Sequence, residues 1–138
     1  MITLEQSYSY AKLLIDQIKI IARNVYNFLG SGFSEDVYEK AMEIDFRMLN
    51  IDFENQRTIE IKYKNHHIGI ARPDFIIHSS EGDLIIELKA ISGQISAPER
   101  RQVKNYMRIL HILNGIIINF QQPGRRNDNP TELEIVEV

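Results

Sequence analysis

The 138-residue sequence contains no cysteine, no excess of basic charge and no long apolar run. Without cysteine there is no disulfide framework, thiolate metal site or cysteine nucleophile, and the chain suits a reducing compartment. Its 16 basic and 19 acidic residues argue against a protein coated in positive charge for non-specific nucleic-acid binding. The start lacks the pattern of a secretory signal, and no segment has membrane-spanning length. We therefore expect an intracellular, soluble protein that neither enters a membrane nor is secreted.

Two helices are predicted in the N-terminal part of the chain. Apolar residues recur at steps of three and four across residues 4–29, which is typical of an amphipathic helix, and Gly30 ends it. Ser34 is suited to be the N-cap of a second helix that runs to about residue 49, with Glu35 and Asp36 in its first turn. The apolar stripe of the first helix would also suit a homodimer interface.

The pattern after residue 50 alternates as in β-strands. Residues 53–63 and 67–78 are predicted as two strands joined by a turn at 64–66, with Pro73 indicating a bulge or an edge position. A third strand at 83–90 completes an antiparallel meander.

The second half of the chain returns to a helix and then to strands. A capping box at Ser96 and Glu99 starts a helix over residues 97–113, and a buried strand at 116–120, a basic polar loop at 121–130 and a strand at 131–138 follow. The predicted order is α, α, β, β, β, α, β, β. This is an α/β fold with a central mixed sheet flanked by helices, in one domain covering residues 1–138.

The strand at residues 83–90 carries the most unusual side chains. Because side chains alternate along a strand, Glu87 and Lys89 share one face, and the other face carries Leu84, Ile86 and Leu88. Charges are rarely placed on a buried strand unless they are paired or bind something. Asp74 lies on the neighbouring strand, so strand pairing would bring Asp74 and Glu87 to one cation. Two carboxylates and a main-chain carbonyl form a hard oxygen site that suits Mg²⁺ or Mn²⁺.

Four motifs occur in one order along the chain. Arg72-Pro73-Asp74 is followed by Glu87-Leu88-Lys89, and residues 32–38 have the spacing glycine-x-x-glutamate-x-x-tyrosine. Gln102 and Tyr106 have the spacing glutamine-x-x-x-tyrosine, and an apolar strand follows at residues 116–120. Over residues 13–120 this ordered set resembles the GxxExxY family of the PD-(D/E)XK nuclease superfamily.

The resemblance implies a restriction-endonuclease-like core and a role for each acid. By position, Asp74, Glu87 and the main-chain carbonyl of Leu88 would bind Mg²⁺ or Mn²⁺, and Glu35 would support or complete the metal site. Lys89 would position or activate the attacking water. The implied activity is that of a metal-dependent deoxyribonuclease that hydrolyses phosphodiester bonds, with DNA favoured over RNA as partner.

Further polar residues surround this set. The same resemblance implies that Gln102 and Tyr106, which lie one helical turn apart, would support the site or touch substrate. Arg72 shares a strand face with Asp74. We therefore expect it to form a salt bridge that keeps this acid ionised, and not to contact phosphate. A basic row and a basic pair are candidates for contacts with the nucleic-acid backbone, although such rows are most often solvated: Arg101, Lys104 and Arg108, and Arg125 and Arg126.

The sequence leaves a second function open. A non-catalytic module could retain the nuclease fold and bind nucleic acid or a protein partner, with Glu87 and Lys89 as an ordinary cross-strand charge pair. Glu35 could then only satisfy the helix dipole, and Tyr106 could be a core aromatic residue. The histidines lack zinc-like spacing, and no base-reading motif predicts sequence specificity.

Overall fold

The computed structural model describes residues 4–80 and 82–138, with side chains from residue 11 onward. The elements, in chain order, are α1 (Leu4–Leu29), α2 (Glu35–Met48), β1 (Asp52–Asn55), β2 (Ile59–Tyr63), β3 (His66–Ala71), β4 (Phe75–His78), β5 (Leu84–Lys89), α3 (Ala97–Leu110), β6 (Asn114–Asn119) and β7 (Glu134–Glu137). None of the helices described in these two ranges is long and apolar enough to cross a membrane.

Five strands form the central sheet in the order β1-β4-β5-β6-β7. Strands β5 and β6 are parallel and are connected through α3, whereas all other neighbours in this sheet are antiparallel. The sheet is therefore mixed, with β5 at its centre and an antiparallel meander of β1, β4 and β5 on one half. The predicted α/β class, with a central sheet flanked by helices, is confirmed.

Alternation along β5 gives the sheet two different sides. Leu84, Ile86 and Leu88 belong to a core cluster with residues of α1 and α2, and we call this the α1/α2 side. Ile85 instead packs in a smaller cluster with Val103 of α3, and we call this the α3 side. Glu87 and Lys89 alternate in phase with Ile85, so they belong to the α3 side.

The two long strands predicted at 53–63 and 67–78 were wrong in their continuity, because the structure divides each into two. β1 pairs with β4 in the central sheet, and β2 pairs with β3 in a separate two-stranded sheet, the β2–β3 hairpin. The register is nevertheless continuous, since the four-residue step from Asn55 to Ile59 is matched by the step from Phe75 back to Ala71.

Two residues explain this break in the ladder. Pro73 has no N–H to donate to a partner strand. On the facing segment, Gln56 lies opposite Asp74 in this register and has a φ of 55°, in the left-handed region, and its N–H donates to the main-chain oxygen of Asp74 (3.0 Å). Pro73 therefore marks a break in the ladder, whereas the bulge of the hairpin lies at Ile61 and Lys62.

Other boundaries differ by a few residues. Helix α3 ends at Leu110 and not at residue 113, because His111 adopts a left-handed conformation (φ 56°). Strand β6 then starts at Asn114, two residues earlier than predicted, and β7 is restricted to Glu134–Glu137. At the other helices the predictions held, since Gly30 ends α1 with a φ of 71° and Ser34 is the extended N-cap of α2.

Candidate active site

Asp74 and Glu87 lie together where the ladder between β4 and β5 ends. The main-chain N–H of Asp74 donates to Oε1 of Glu87 (2.9 Å), and the N–H of Leu88 donates to Oδ2 of Asp74 (2.7 Å). Both carboxylates are buried, with exposed fractions of 8% and 6%. Each acid is therefore held by the backbone beside the other, as the predicted strand pairing requires.

Pro73 also shapes the surroundings of the Leu88 carbonyl. Phe75 pairs with Ile86, so the antiparallel partner of Leu88, two residues further on, would be Pro73. Because proline has no N–H, the ladder supplies no donor to Leu88 from that position. The main-chain oxygen of Leu88 thus comes at the point where strand pairing stops and the two acids begin.

Burial raises the pKa of both acids, and the charge of Asp74 adds to the effect at Glu87. Burial, followed by the negative charge of Asp74, raises the pKa of Glu87 to about 8. Burial likewise raises the pKa of Asp74, although hydrogen bonds from Leu88 and Gln56 partly offset it. A buried site with concentrated negative charge and few compensating cations favours protonation or the binding of a cation.

Glu35 and Lys89 complete the charges around this pair. Desolvation and the charge of Asp74 raise the pKa of Glu35, which places the first residue of α2 within electrostatic reach of the strand acids. The ammonium of Lys89 acts in the opposite direction and favours the charged forms of all three carboxylates. The structure thus brings together the four residues predicted as catalytic, while their roles remain predictions.

Glu39 and Gln56 are site residues that sequence reasoning missed. Nε2 of Gln56 donates to Oδ1 of Asp74 (2.8 Å) and to Oε1 of Glu39 (2.7 Å). Nδ2 of Asn55 donates to the same Glu39 oxygen (3.2 Å) and to the main-chain oxygen of Asp74 (3.0 Å). Together these amides connect α2 to Asp74. A signal for Glu39 existed, because it follows Glu35 by four residues on one helix face.

Asn119 was also missed, although it follows the apolar run of β6. It is fully buried, its Oδ1 accepts from the N–H of Ile91 (3.0 Å), and its Nδ2 donates to the main-chain oxygen of Gly93 (3.2 Å). These bonds hold the segment that directly follows Lys89. A polar residue at the end of a buried strand was the available signal.

Helix α3 brings Tyr106 to the acids. Burial and the charge of Glu87 raise the pKa of Tyr106, and hydrogen bonds involving the main chain of Arg72 and the side chain of Gln102 partly offset this. The structure therefore places both predicted α3 residues next to each other and Tyr106 near Glu87. By contrast, the Arg72 side chain is exposed to solvent, and among the described residues no ion pair joins it to Asp74 as expected.

The basic candidates lie in two places. Arg101, Lys104 and Arg108 are exposed along α3, and Arg101 and Arg108 line a groove beside Tyr106. Arg125 and Arg126 are exposed on another cavity, of about 550 Å³, between the segments that follow β5 and β6. Both groups are available to solvent, and their contacts with nucleic acid remain a prediction.

The donor set permits a divalent cation but does not form a complete cage. Within residues 4–80 and 82–138, no three Asp, Glu or His side chains are arranged to hold a metal ion by themselves. Magnesium, however, commonly binds through one or two carboxylates and keeps several waters. Asp74, Glu87 and the Leu88 carbonyl are hard oxygen donors of this kind, and the negative charge of Asp74, which adds to burial in raising the pKa of Glu87, would attract a cation.

Comparisons with known proteins agree with this architecture. A sequence profile described as PD-(D/E)XK nuclease superfamily matches residues 12–130. No curated protein gives a significant match. A solved structure described as the crystal structure of SSO0001 is similar in fold, with a TM-score of 0.53 and 18% sequence identity over 75% of this chain and 49% of that chain. The chain thus spans about half the length of that protein. From the matched residues and from the arrangement of Asp74, Glu87 and Lys89, we conclude that the chain belongs to the PD-(D/E)XK nuclease superfamily.

Proposed function

We propose that this protein is a metal-dependent nuclease that hydrolyses phosphodiester bonds in DNA at Asp74, Glu87 and Lys89. The observation that carries the proposal is the pair of buried carboxylates joined through the backbone, with a lysine on the same strand face. Membership of a nuclease superfamily supports hydrolysis as the reaction class. We propose Mg²⁺ or Mn²⁺ as the cation because the donors are hard oxygens, and DNA as the substrate because exposed cations of α3 suit a phosphate backbone.

The side chains have distinct tasks in this mechanism. Asp74, Glu87 and the main-chain oxygen of Leu88 would hold the cation, with Glu35 close enough to support it. When bound, Mg²⁺ or Mn²⁺ supplies positive charge to phosphate oxygens and lowers the pKa of a nearby water. Gln56 keeps Asp74 in place by hydrogen bonding to the oxygen that Leu88 leaves free.

Lys89 would handle the attacking water. Its ammonium lies on the strand face of Glu87, where it can orient the water oxygen towards phosphorus. A bond forms between that oxygen and phosphorus, the bond from phosphorus to the leaving sugar oxygen breaks, the water proton passes to a base or to solvent, and the leaving oxygen takes a proton from solvent. The products are a phosphomonoester and a free hydroxyl.

Cleavage of DNA by matched variants tests the proposal. Wild-type protein is incubated with single- and double-stranded DNA in Mg²⁺ or Mn²⁺, beside Asp74→Ala and Lys89→Ala. Each substitution should lower the rate by roughly a thousandfold or more, because both groups act on the reacting atoms. Asp16→Ala and Lys12→Ala, which alter exposed charges on α1, should cut like wild type. Cleavage that persists unchanged in Asp74→Ala or Lys89→Ala would overturn the proposal.

One observation favours a second function. Because no described trio of acidic or histidine side chains forms a metal cage, the fold could serve as a module that binds nucleic acid or protein without cutting. Such a module would bind DNA equally well with and without Asp74. If wild type does not cleave DNA and Asp74→Ala binds DNA as well as wild type does, this second function is supported.

A further inference from the structure

A groove lies between the β2–β3 hairpin and α3, and the proposed chemistry does not use it. It has a volume of about 560 Å³. Ile61 lines it from the hairpin, and the facing wall is formed by side chains of α3 that include Pro98, Arg101, Tyr106, Arg108 and Ile109. The broken ladder makes this groove possible, because the hairpin is detached from the central sheet at Gln56 and Pro73.

Tyr106 links the groove to the acidic site. Tyr106 lines it and is also within electrostatic reach of Glu87 and Asp74. A hydrogen bond involving the main chain of Arg72 ties the same hydroxyl to the segment that precedes Asp74. A chain-like ligand lying in the groove would therefore pass beside the two carboxylates.

The lining combines apolar surface with positive charge. Ile61, Pro98, Ile109 and the ring of Tyr106 offer flat or apolar contacts, and Arg101 and Arg108 are exposed cations at the same groove. Helix α3 as a whole carries four basic residues and one acid, Glu99, whose carboxylate accepts from the N–H of Ser96 (2.9 Å). In a chain with a net charge of −3, this is a local concentration of positive charge.

This combination matches an unpaired nucleic-acid strand better than a duplex. Proteins that bind single strands pair a cationic groove for phosphates with aromatic or apolar surfaces for base faces. In a duplex the base faces are stacked inside, so only phosphates, sugars and base edges would meet the groove. The apolar lining would then gain little from a duplex.

We propose that the groove between the β2–β3 hairpin and α3 binds a single strand of DNA and leads it to the acids. The proposal rests on the nuclease function above and specifies its substrate. Arg101 and Arg108 contact phosphates, and bases lie against Ile61 and the ring of Tyr106.

Binding measured without cleavage tests this assignment. Fluorescence anisotropy in EDTA compares the binding of a labelled single strand of DNA with that of a self-complementary DNA of the same number of nucleotides, which folds into a duplex. The comparison is repeated over a series of salt concentrations. Wild type should bind the single strand more tightly. Arg101→Ala with Arg108→Ala should weaken binding by about tenfold or more and reduce the salt slope by about 1.4, since each phosphate contact contributes roughly 0.7 for single strands.

Two further proteins make the comparison specific. Ile61→Ser should weaken single-strand binding without changing the salt slope, because it removes an apolar contact and no charge. Lys12→Ala with Arg23→Ala removes two exposed cations from α1, on the opposite side of the sheet, and should bind like wild type. Circular dichroism checks that each variant is folded.

The outcomes separate this proposal from the nuclease function. Equal or tighter binding of the duplex, or groove variants that bind like the α1 control, would overturn the groove assignment even if the protein cuts DNA. Conversely, single-strand binding that depends on Arg101, Arg108 and Ile61, in a protein that never cuts, would uphold the groove and overturn the nuclease function.

Discussion

The two sides of the central sheet carry different parts of the protein's work. Among the described residues, seventeen buried side chains form the cluster on the α1/α2 side, whereas four form the cluster on the α3 side. The larger cluster contains stacked aromatic rings, such as Tyr38 and Phe120 with centroids 4.4 Å apart. The α3 side instead carries the buried acids, Lys89 and the groove. One strand, β5, serves both, which indicates that stability is concentrated on one side so that the other can hold unfavourable charge.

Adjacent residues of β6 offer the sharpest test of this difference in stability. Ile117 and Ile118 are both fully buried, but Ile118 belongs to the α1/α2 cluster and Ile117 to the α3 cluster. We expect Ile118→Ala to lower the free energy of unfolding by about 4 kcal/mol and Ile117→Ala by about 2 kcal/mol, because a cavity in the thinner cluster can collapse more easily. Urea unfolding measures both. Equal or reversed costs would contradict the comparison.

The charge on the α3 side should make stability depend on pH. The pKa of Glu87 rises from 4.5 to about 8 on folding, so between these values the folded state holds a proton that the unfolded state has released. The free energy of unfolding therefore falls as pH rises through this window. Glu87→Gln keeps an acceptor for the N–H of Asp74 and removes the charge. At pH 9 without metal, its free energy of unfolding should therefore exceed that of wild type by on the order of 3 kcal/mol.

Urea unfolding at pH 5 and pH 9 measures this effect, with Glu132→Gln as an exposed control. From pH 5 to pH 9, the free energy of unfolding of the control should fall as much as that of wild type, and that of Glu87→Gln should fall less. If the free energy of unfolding of Glu87→Gln falls as much as that of wild type, Glu87 is not the source of the pH dependence.

The close packing of α3 on the sheet depends on a glycine of β6. A Cβ added at Gly115 would lie 2.7 Å from Sδ of Met107 and 2.9 Å from Cγ1 of Val103. Gly115→Ala should therefore displace α3 and cost about 2 kcal/mol of stability. Because Tyr106 moves with the helix, single-strand binding should weaken as well. A second substitution, Met107→Ala, removes the closer of the two contacts and should recover part of the loss of single-strand binding; if it recovers none of it, the packing explanation is wrong.

The smallest expected effect concerns the amide that holds Asp74. Gln56→Gly removes both side-chain hydrogen bonds, and glycine tolerates the positive φ of this position. We expect kcat for DNA cleavage to fall about tenfold with little change in KM, because Asp74 loses its orientation and not its charge. Asn50→Gly, at another left-handed position after α2, is the matched control. A change in KM alone would mean that Gln56 contacts substrate and does not position Asp74.

The sequence was sufficient to predict the fold class and the proximity of Asp74 and Glu87, because both follow from short strand patterns and the pairing of neighbouring strands. Alternation along 83–90 predicted the two faces of β5, and Asp74 and Glu87 lie together because of strand pairing. The helix boundaries at Gly30 and Ser34 likewise follow from local backbone preferences.

What the sequence did not predict depends on distant contacts. Gln56 reaches Asp74 and Glu39 only because the ladder breaks at Pro73, and the pattern of 53–63 reads as one strand without that knowledge. The groove follows from the same break. Helix α3 ends at Leu110 and not at residue 113 because His111 is left-handed, and a histidine in the sequence does not predict that conformation. Membership of the GxxExxY family remains a prediction.

The central claim is that the acids on the α3 side form a cation site. Isothermal titration calorimetry with Mn²⁺ tests it directly, in wild type, in Glu87→Gln and in Asp16→Asn, which alters an exposed acid on α1. The account predicts that wild type and Asp16→Asn bind Mn²⁺ at submillimolar concentration, on the order of 4 kcal/mol or more of binding free energy, and that Glu87→Gln does not. Folded wild type that binds no Mn²⁺ at millimolar concentration, or Glu87→Gln that binds it as well as wild type, would contradict the claim.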